Sequence, residues 1–369
     1  MKTAIISVTN DLSTDQRVHR TALALQKLDF HVVLIGRKKN DSTSLVPREY
    51  QTHRMNVLFE KGVLFYAEYN LRLFFYLLFK KMDMLAANDL DTLLPNYLIS
   101  KIKNIKLVYD SHEYFTGVPE LENRTFTKWI WKSIERWILP NLKYAYTVNN
   151  SIANLYKQEY NIDMRVIRNI PILSVNHSSK SRLELGLLVD KKIILYQGAG
   201  INIDRGVEEA VQAMQYIDNA IFLIVGSGDV IDKLKTISIK LELQNKIKFI
   251  SKLPFEELRQ YTRVADIALT LDKDTNVNYR FSLPNKLFDY IHAGVPILAS
   301  PLIEVKKIIE TYRVGTLIQN HDPKHIAEKI NEMLSNEGQL KEWKINCKKA
   351  AEELCWQKEE KELLEIFNQ

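Results

Sequence analysis

Ser282, Pro284, Lys286 and Asp289 stand close together in FSLPNKLFDYIHAGVPILAS, residues 281–300. The segment reads as the start of a short helix that Gly294 ends, with Pro296 next and VPILAS resuming as an apolar strand. A helix start has unsatisfied N–H groups and the positive end of the macrodipole, so it favours an anion. Proline suits the first turn, and Lys286 adds a point charge. Asp289 lies about two turns beyond Ser282 at roughly 3.6 residues per turn, where it can accept hydrogen bonds from hydroxyls. The ligand this chemistry suits carries phosphate at one end and a diol at the other, as a nucleotide diphosphate does.

Upstream, Gly198 and Gly200 close the run KIILYQGAG (192–200), and Arg205 and Gly206 open the next helix. Glycines there permit a tight turn and close backbone approach to a ligand, and a guanidinium matches phosphate oxygens as a fork. Arg205 and Lys286 together would neutralise most of a diphosphate. Singly, each of these features is ordinary in an α/β protein; on successive turns of one domain they favour a ligand. GSGD (226–229), with Gly226 and Gly228, either passes near a nucleotide base or is a structural turn.

In the first half, YDSHEY (109–114) places His112 at a strand's carboxyl end among carboxylates, where it contacts a sugar hydroxyl or exchanges a proton. Asp110 points away from Ser111 and is read as structural. Glu113 either hydrogen-bonds an acceptor or holds the loop. In DQRVHR (15–20), Arg17 and Arg20 share a helix face, which meets an acceptor phosphate or is a solvated helix start. His19 packs or faces solvent. Asn10 and Asp11, then Asn88 and Asp89, are polar pairs at the ends of apolar runs. The acceptor-side candidates are therefore Asn10, Asp11, Arg17, Asp89 and Glu113. No HExxH, GxSxG or CxxC motif occurs, and no carboxylate pair at these edges is clear enough for a hydrolase.

These residues need a scaffold. Strands are expected at 4–9, 31–36, 106–113 and 144–149, with a helix at 17–28; the alternation restarts with strands at 192–200, 220–229, 247–253, 265–271 and 295–300. Strands alternating with helices argue for parallel sheets covered on both faces, with function at the carboxyl ends of strands. Between them, 171–190 holds Pro171 and the polar run NHSSKS and reads as a linker. The expected organisation is 1–170 as a Rossmann-like domain, 171–190 as linker, 191–340 as a second Rossmann-like domain, and 341–369 as one long helix crossing back. Trp343 and Trp356 would anchor that helix to the body. Two domains also fit 369 residues, with 46% hydrophobic and 26% charged.

Cys347 and Cys355 form no metal or redox motif, which suits a reducing cytoplasm. MKTAIISVTN is too short and too soon polar for a signal peptide. The most apolar run, 63–79, is interrupted by Glu68, Asn70 and Arg72 and followed by Lys80 and Lys81. It is either an amphipathic helix buried in an α/β domain or one lying on a membrane surface. Residues 1–170 hold 24 Lys and Arg against 17 Asp and Glu, whereas the remainder holds 27 against 28. An anionic partner for the first half follows, a membrane leaflet or a phosphorylated acceptor, unless the basic surface is simply solvated. No nucleic-acid module is present.

Taken in order, these segments resemble the retaining glycosyltransferases of family 4 (group 1), of GT-B fold. The matching pieces are DQRV, AANDLDTLLP (86–95), VYDSHEY, TVNNSIANLY (147–156), VIRNIP (166–171), YQGAGINIDRGVEEAVQAM (196–214), VGSGD (225–229), SLPNKLFDYIHAGVPILAS and VGTLI (314–318). The resemblance implies an α/β chain of two Rossmann-like doubly wound domains facing each other across a cleft, with a C-terminal helix packing back on the body. It implies a nucleotide-sugar donor held by Gly198, Gly200, Arg205, Gly226, Gly228, the helix start from Ser282 through Leu283, Pro284, Asn285 and Lys286 to Leu287, and Asp289 at the ribose. His112 would face the sugar, making His112, Arg205 and Lys286 the catalytic set. The activity implied is hexosyl transfer with retention, without metal or cofactor, the nucleotide sugar being a co-substrate.

Three departures from the family pattern are visible. Members often carry two glutamates eight positions apart, where this chain has Phe281 and Asp289; many have a lysine five or six residues after the arginine, where it has Ala210 and Val211. The Gly-Gly turn after the first strand is replaced by TNDLSTD. The expectation is a cytoplasmic enzyme, peripheral on the inner face of the membrane in one reading, taking a UDP- or GDP-sugar to a saccharide or lipid-linked acceptor in bacterial surface polysaccharide synthesis. The alternatives are a nucleotide-sugar epimerase of the same architecture and a non-catalytic nucleotide-sugar-binding subunit.

Overall fold

The computed structural model describes residues 1–369 apart from 14, 41, 43, 119, 120, 123 and 175–178. The chain forms two units, Met1–Asn169 with Lys358–Gln369, and Ile170–Gln357.

The first unit holds a parallel sheet of β1 (Lys2–Ser7), β2 (Phe30–Lys38), β3 (Gln51–Asn56), β4 (Met84–Asn88), β5 (Lys106–Ser111), β6 (Tyr144–Thr147) and β7 (Arg165–Val166). Their order is β3-β2-β1-β4-β5-β6-β7. The order reverses between β1 and β4, the position at which parallel sheets of this kind ordinarily take ligands. Register brings Asn88 opposite Asp110 across β4 and β5, so the polar ends of these two strands lie side by side next to that reversal. Large aromatic side chains fill the interior: Tyr69, Tyr109, Tyr146 and Tyr156 are all buried. Tyr69 donates its hydroxyl to the Val8 carbonyl, which satisfies the one polar atom its burial would strand.

The second unit repeats the topology with β8 (Lys192–Gly198), β9 (Ala220–Gly226), β10 (Ile247–Ile250), β11 (Ile267–Thr270), β12 (Ile297–Ala299) and β13 (Gly315–Leu317), in the order β10-β9-β8-β11-β12-β13. Alternate residues feed two cores. Ile194, Tyr196, Phe222 and Ile224 belong to one, and Ile193, Leu195, Leu223 and Val225 to the other. Burial on both faces explains why these strands read as unbroken apolar runs rather than as alternating ones.

The doubly wound architecture is as the sequence predicts. Most expected strands end one to three residues early at their carboxyl ends, where the chain leaves the ladder to form the site loops, whereas β2 runs two residues further. The edge strands β3, β7 and β13 are not among those expected. Two further elements differ. The tail is two helices, Glu337–Glu353 and Trp356–Asn368, and only the second joins the first unit. In addition, Ile170, Leu185 and Leu187 are buried in a core of the second unit, so most of the segment expected as linker is built into that unit. Its polar stretch at 175–178 lies outside the described residues.

Candidate functional site

In the second unit the helix Asn285–Ala293 starts one position after Pro284, and Gly294 ends it in the left-handed conformation. Ser282 and Leu283 therefore precede the helix, and Asp289 lies one turn inside it. The short helix Val277–Arg280 comes before, capped by Asn276, whose side chain accepts from the Tyr279 N–H.

Lys286 points back toward the sheet. Its Nζ donates to the Tyr196 hydroxyl at 2.6 Å and lies 3.9 Å from the centre of that ring. Arg205 Nη1 donates to Asp272 Oδ2 at 2.7 Å, and Lys286 Nζ is 3.8 Å from Asp272 Oδ1. The structure thus brings the two predicted cations together, through a carboxylate at the end of β11. Asp272 is almost wholly buried, and its Oδ1 and the Arg205 Nε have no hydrogen-bond partner among the described residues. Two cations on one carboxylate leave a net positive charge beside the helix start. Burial pushes the Lys286 ammonium down to about 8, the Asp272 charge opposing this and Arg205 adding to it. The group is therefore poised to gain from an arriving anion. Asp289 accepts from Gln197 Nε2 at 3.1 Å, and Gln197 Oε1 accepts from Thr262 at 2.7 Å, so the carboxylate is held in place.

The glycines divide into two kinds. Gly226 adopts φ +142°, and a Cβ there would lie 1.8 Å from the Gly198 carbonyl oxygen; at Gly228 it would lie 2.1 Å from that of Ile201. These two let the 226–228 turn close on the 198–201 loop, where the Ile201 N–H donates to the Ser227 carbonyl at 2.9 Å. The structural-turn alternative accounts for both. At Gly198 and Gly200, by contrast, a Cβ would meet nothing nearer than 3.8 Å. Among the described residues no neighbouring atom is close enough to require a glycine there, which leaves close approach of a ligand as a reason for one.

In the first unit the carboxyl ends of β4 and β5 build a charged cluster around His112. Asp89 Oδ1 accepts the His112 backbone N–H at 2.8 Å, and Asp89 Oδ2 is 3.2 Å from Nδ1. Nε2 is 3.2 Å from Asp110 Oδ2 and 3.3 Å from Asn88 Oδ1. Burial disfavours the imidazolium, but the charges of Asp89 and Asp110 outweigh it and lift His112 to about 9. A histidine already protonated at neutral pH is a poor base. Of the two expected roles, the cluster favours contact with a hydroxyl or an anion over proton exchange. Asp89 reaches His112 from φ +57°, ψ 166°, an uncommon backbone state for a side-chain-bearing residue and one that gathers at functional sites.

Arg17 lies inside this cluster, not on a solvated helix face. It is buried, gives Nε and Nη2 to Asp110, and donates Nη1 to the Ile167 carbonyl at 2.8 Å. Burial would raise the Asp110 carboxyl, yet Arg17 and His112 hold it well below the usual carboxylate range. Arg20 donates to Asn169. Asn10 shapes its own loop, donating to Asp15 at 2.7 Å and accepting from the Leu12 N–H, and Asp11 accepts from the Ser13 hydroxyl at 2.6 Å. The Glu113 side chain is at the surface, while its carbonyl accepts from the hydroxyls of Ser111 and Tyr156.

Comparison with known proteins decides the family. A model described as Glycosyltransferase Family 4 matches residues 15–171, and one described as Glycosyl transferases group 1 matches 178–350. The chain belongs to the family 4, group 1 glycosyltransferases. It is 26% identical over 200 residues to an uncharacterized glycosyltransferase of Methanocaldococcus jannaschii, a match covering 53% of this chain and 49% of that one. The chain spans about half the length of the curated relatives it matches. Among solved structures, sucrose-phosphate synthase of Thermosynechococcus elongatus superposes with TM-score 0.81 at 16% identity, covering 100% of this chain and 98% of that one. Anabaena HepE in complex with UDP-glucose gives 0.76 at 13%, covering both chains fully. At such identities the likeness is one of fold, and the fold is GT-B.

Within this family 4 chain, sequence reading passes over three residues that the site depends on: Asp272, Gln197 and Tyr196. Asp272 follows the apolar run ADIALTL directly. A polar side chain closing an apolar run is the same signal that marks Asn88 and Asp89, and it marks Asp272 equally well.

Proposed function

We propose that this family 4 chain moves a hexosyl group, with retention of anomeric configuration, from a UDP- or GDP-linked sugar to a saccharide or lipid-linked acceptor in bacterial surface polysaccharide synthesis. The observation that carries the reading is the buried Arg205–Asp272–Lys286 arrangement beside the start of the helix Asn285–Ala293. It offers fixed positive charge and free helix N–H groups where a diphosphate would leave. In this reading those groups stabilise the leaving diphosphate without a metal, and Asp289 accepts from the ribose hydroxyls. His112 contributes a held positive charge and hydrogen-bond donors in the first unit. Anabaena HepE, of the same fold, is in complex with UDP-glucose, which supports a donor of this class here. The cytoplasmic side of the membrane is where such donors and acceptors would meet this enzyme.

Calorimetry with UDP, GDP and their sugars tests the reading. One nucleotide should bind, and Lys286→Ala should weaken it at least tenfold. Equal affinity in the variant, or no binding by any nucleotide, would sink the donor assignment.

A further inference from the structure

The helix Gly62–Phe79 is apolar on two sides. Phe65, Tyr69, Leu73 and Leu77 are buried against the unit. Two positions on, or about 200° round the axis, Leu71, Phe75 and Phe79 are exposed, Phe79 by 81%. A helix on the surface of a globular unit ordinarily presents polar side chains there. The helix Thr125–Ile138 repeats the anomaly. Phe126 and Trp129 stack with centroids 6.0 Å apart and are 71% and 60% exposed, and Trp137 is exposed as well. Between the two helices lies a cavity of about 160 Å³ lined by Val63, Tyr66, Ala67, Leu94, Ile130 and Trp131.

Charge selects the occupant. Segments 61–81, 101–103 and 124–143 carry eleven Lys and Arg against two acidic residues, Glu68 and Glu135. Glu135 is buried, and Glu68 already accepts from Arg72 at 2.7 Å. Lys80 lies 5.2 Å from the Tyr76 ring and Lys101 5.2 Å from the Tyr97 ring, which meets Trp137 edge-on at 5.7 Å. Lys103 donates to the Lys80 carbonyl at 2.6 Å. Cations thus gather at the edge of the apolar face. A second copy of this face would bring like charge to like charge. Exposed aliphatic and aromatic side chains rimmed by lysine match the interface of an anionic bilayer.

We propose that this face docks on an anionic lipid bilayer, its exposed aromatics at the headgroup level. The inner side of the helix Thr125–Ile138 holds the loop after His112. Trp131 meets Phe115 edge-on at 5.2 Å, Thr116 donates to Glu135 at 3.0 Å, and Lys132 donates to the Tyr114 hydroxyl at 2.6 Å. Docking therefore steadies the loop that bears His112, and turnover rises on the membrane. That last step rests on the transferase reading; docking itself does not.

The test is flotation of the full chain with vesicles of phosphatidylcholine alone, or with a third of the lipid replaced by phosphatidylglycerol, without donor or acceptor. The protein should float with the anionic vesicles and not the neutral ones, and high salt should release it. Lys80→Glu with Lys81→Glu, and separately Phe126→Ser with Trp129→Ser, should each lower partitioning about tenfold or more. Unchanged thermal midpoints would show that the variants are folded. Failure to float, equal flotation with neutral vesicles, variants that float like the parent, or self-association through this face without lipid would each overturn the proposal. Nucleotide binding is measured on the same sample, so a protein that floats but binds no nucleotide refutes the transferase reading alone.

Discussion

Asp89 holds His112 twice, through the backbone N–H at 2.8 Å and through Nδ1 at 3.2 Å. One carboxylate thereby fixes both where the ring sits and what charge it bears. With Asp110 on the other nitrogen, the ring is an imidazolium through the neutral range.

The first prediction concerns that charge. In a nitrogen-detected titration, His112 should keep both ring protons until about pH 9. Asp89→Asn should bring its midpoint down by about a unit or more, toward the unperturbed value near 6.5. A midpoint near 6.5 in the parent protein would refute the clamp.

The second follows by linkage. The folded pKa of His112 lies above its unfolded value, so its contribution is fully present below about pH 6.5 and is lost as pH rises through about 9. Asp91, raised to about 7 by burial and then by Asp89, titrates nearby, so the comparison must be a difference. The thermal midpoint of the parent should fall more steeply between pH 6.5 and 9 than that of His112→Gln. Parallel profiles would remove the linkage.

A third prediction separates structure from ligand at Asp272. Asp272→Ala leaves Arg205 and Lys286 without their shared carboxylate, and both are largely buried. Breaking such a pair should destabilise the protein by roughly 2–4 kcal/mol, the partial exposure of Arg205 placing it toward the lower end. A bound nucleotide diphosphate would restore negative charge, so nucleotide should raise the midpoint of Asp272→Ala more than that of the parent. An equal rise would mean that the cations do not meet the diphosphate.

A fourth uses the same lysine. A diphosphate favours the charged ammonium, which lies near 8 in the free protein. Nucleotide affinity should therefore fall as pH rises above about 8, by up to about tenfold per unit. Lys286→Arg, whose charge persists, should show a flat profile. A flat parent profile would exclude Lys286 from the phosphates.

The fifth contrasts two glycines. Gly226→Ala meets the Gly198 carbonyl and a positive φ, and should destabilise folding by about 2 kcal/mol or more. Gly200→Ala has room and should fold normally, yet bind nucleotide more weakly. If both behave alike in thermal unfolding, the division between them fails.

Most of the scaffold was legible because its signals are local. Apolar runs closed by Gly198, by Asp89 or by His112 mark strands and their functional ends within a few residues. The ion pairs were not legible, because Arg17 and Asp110 lie 93 positions apart, and Arg205 and Asp272 lie 67 apart, and only the fold brings them together. Arg17 and Arg20 share a face by spacing, but only the sheet decides that Arg17 turns inward. The break in the tail is silent for another reason. Leu354 and Cys355 carry no turn chemistry, and both are simply buried where the chain changes direction. The segment after Asn169 reads as linker because its polar residues outnumber Ile170, Leu185 and Leu187, the three that enter the core.

The last helix belongs to the first unit. Leu363, Ile366 and Phe367 are buried, Arg168 pairs with Glu359 at 2.6 Å, and Lys106 caps the carbonyls of Ile366 and Phe367 at 2.8 Å. On the ribosome, then, the first unit is completed only after the second has been made. Its sheet can assemble early, but the groove reserved for residues 358–369 stays open until the intervening unit has been made. A nascent chain stalled after the second domain would expose that groove, and a chaperone or a protease would find it there.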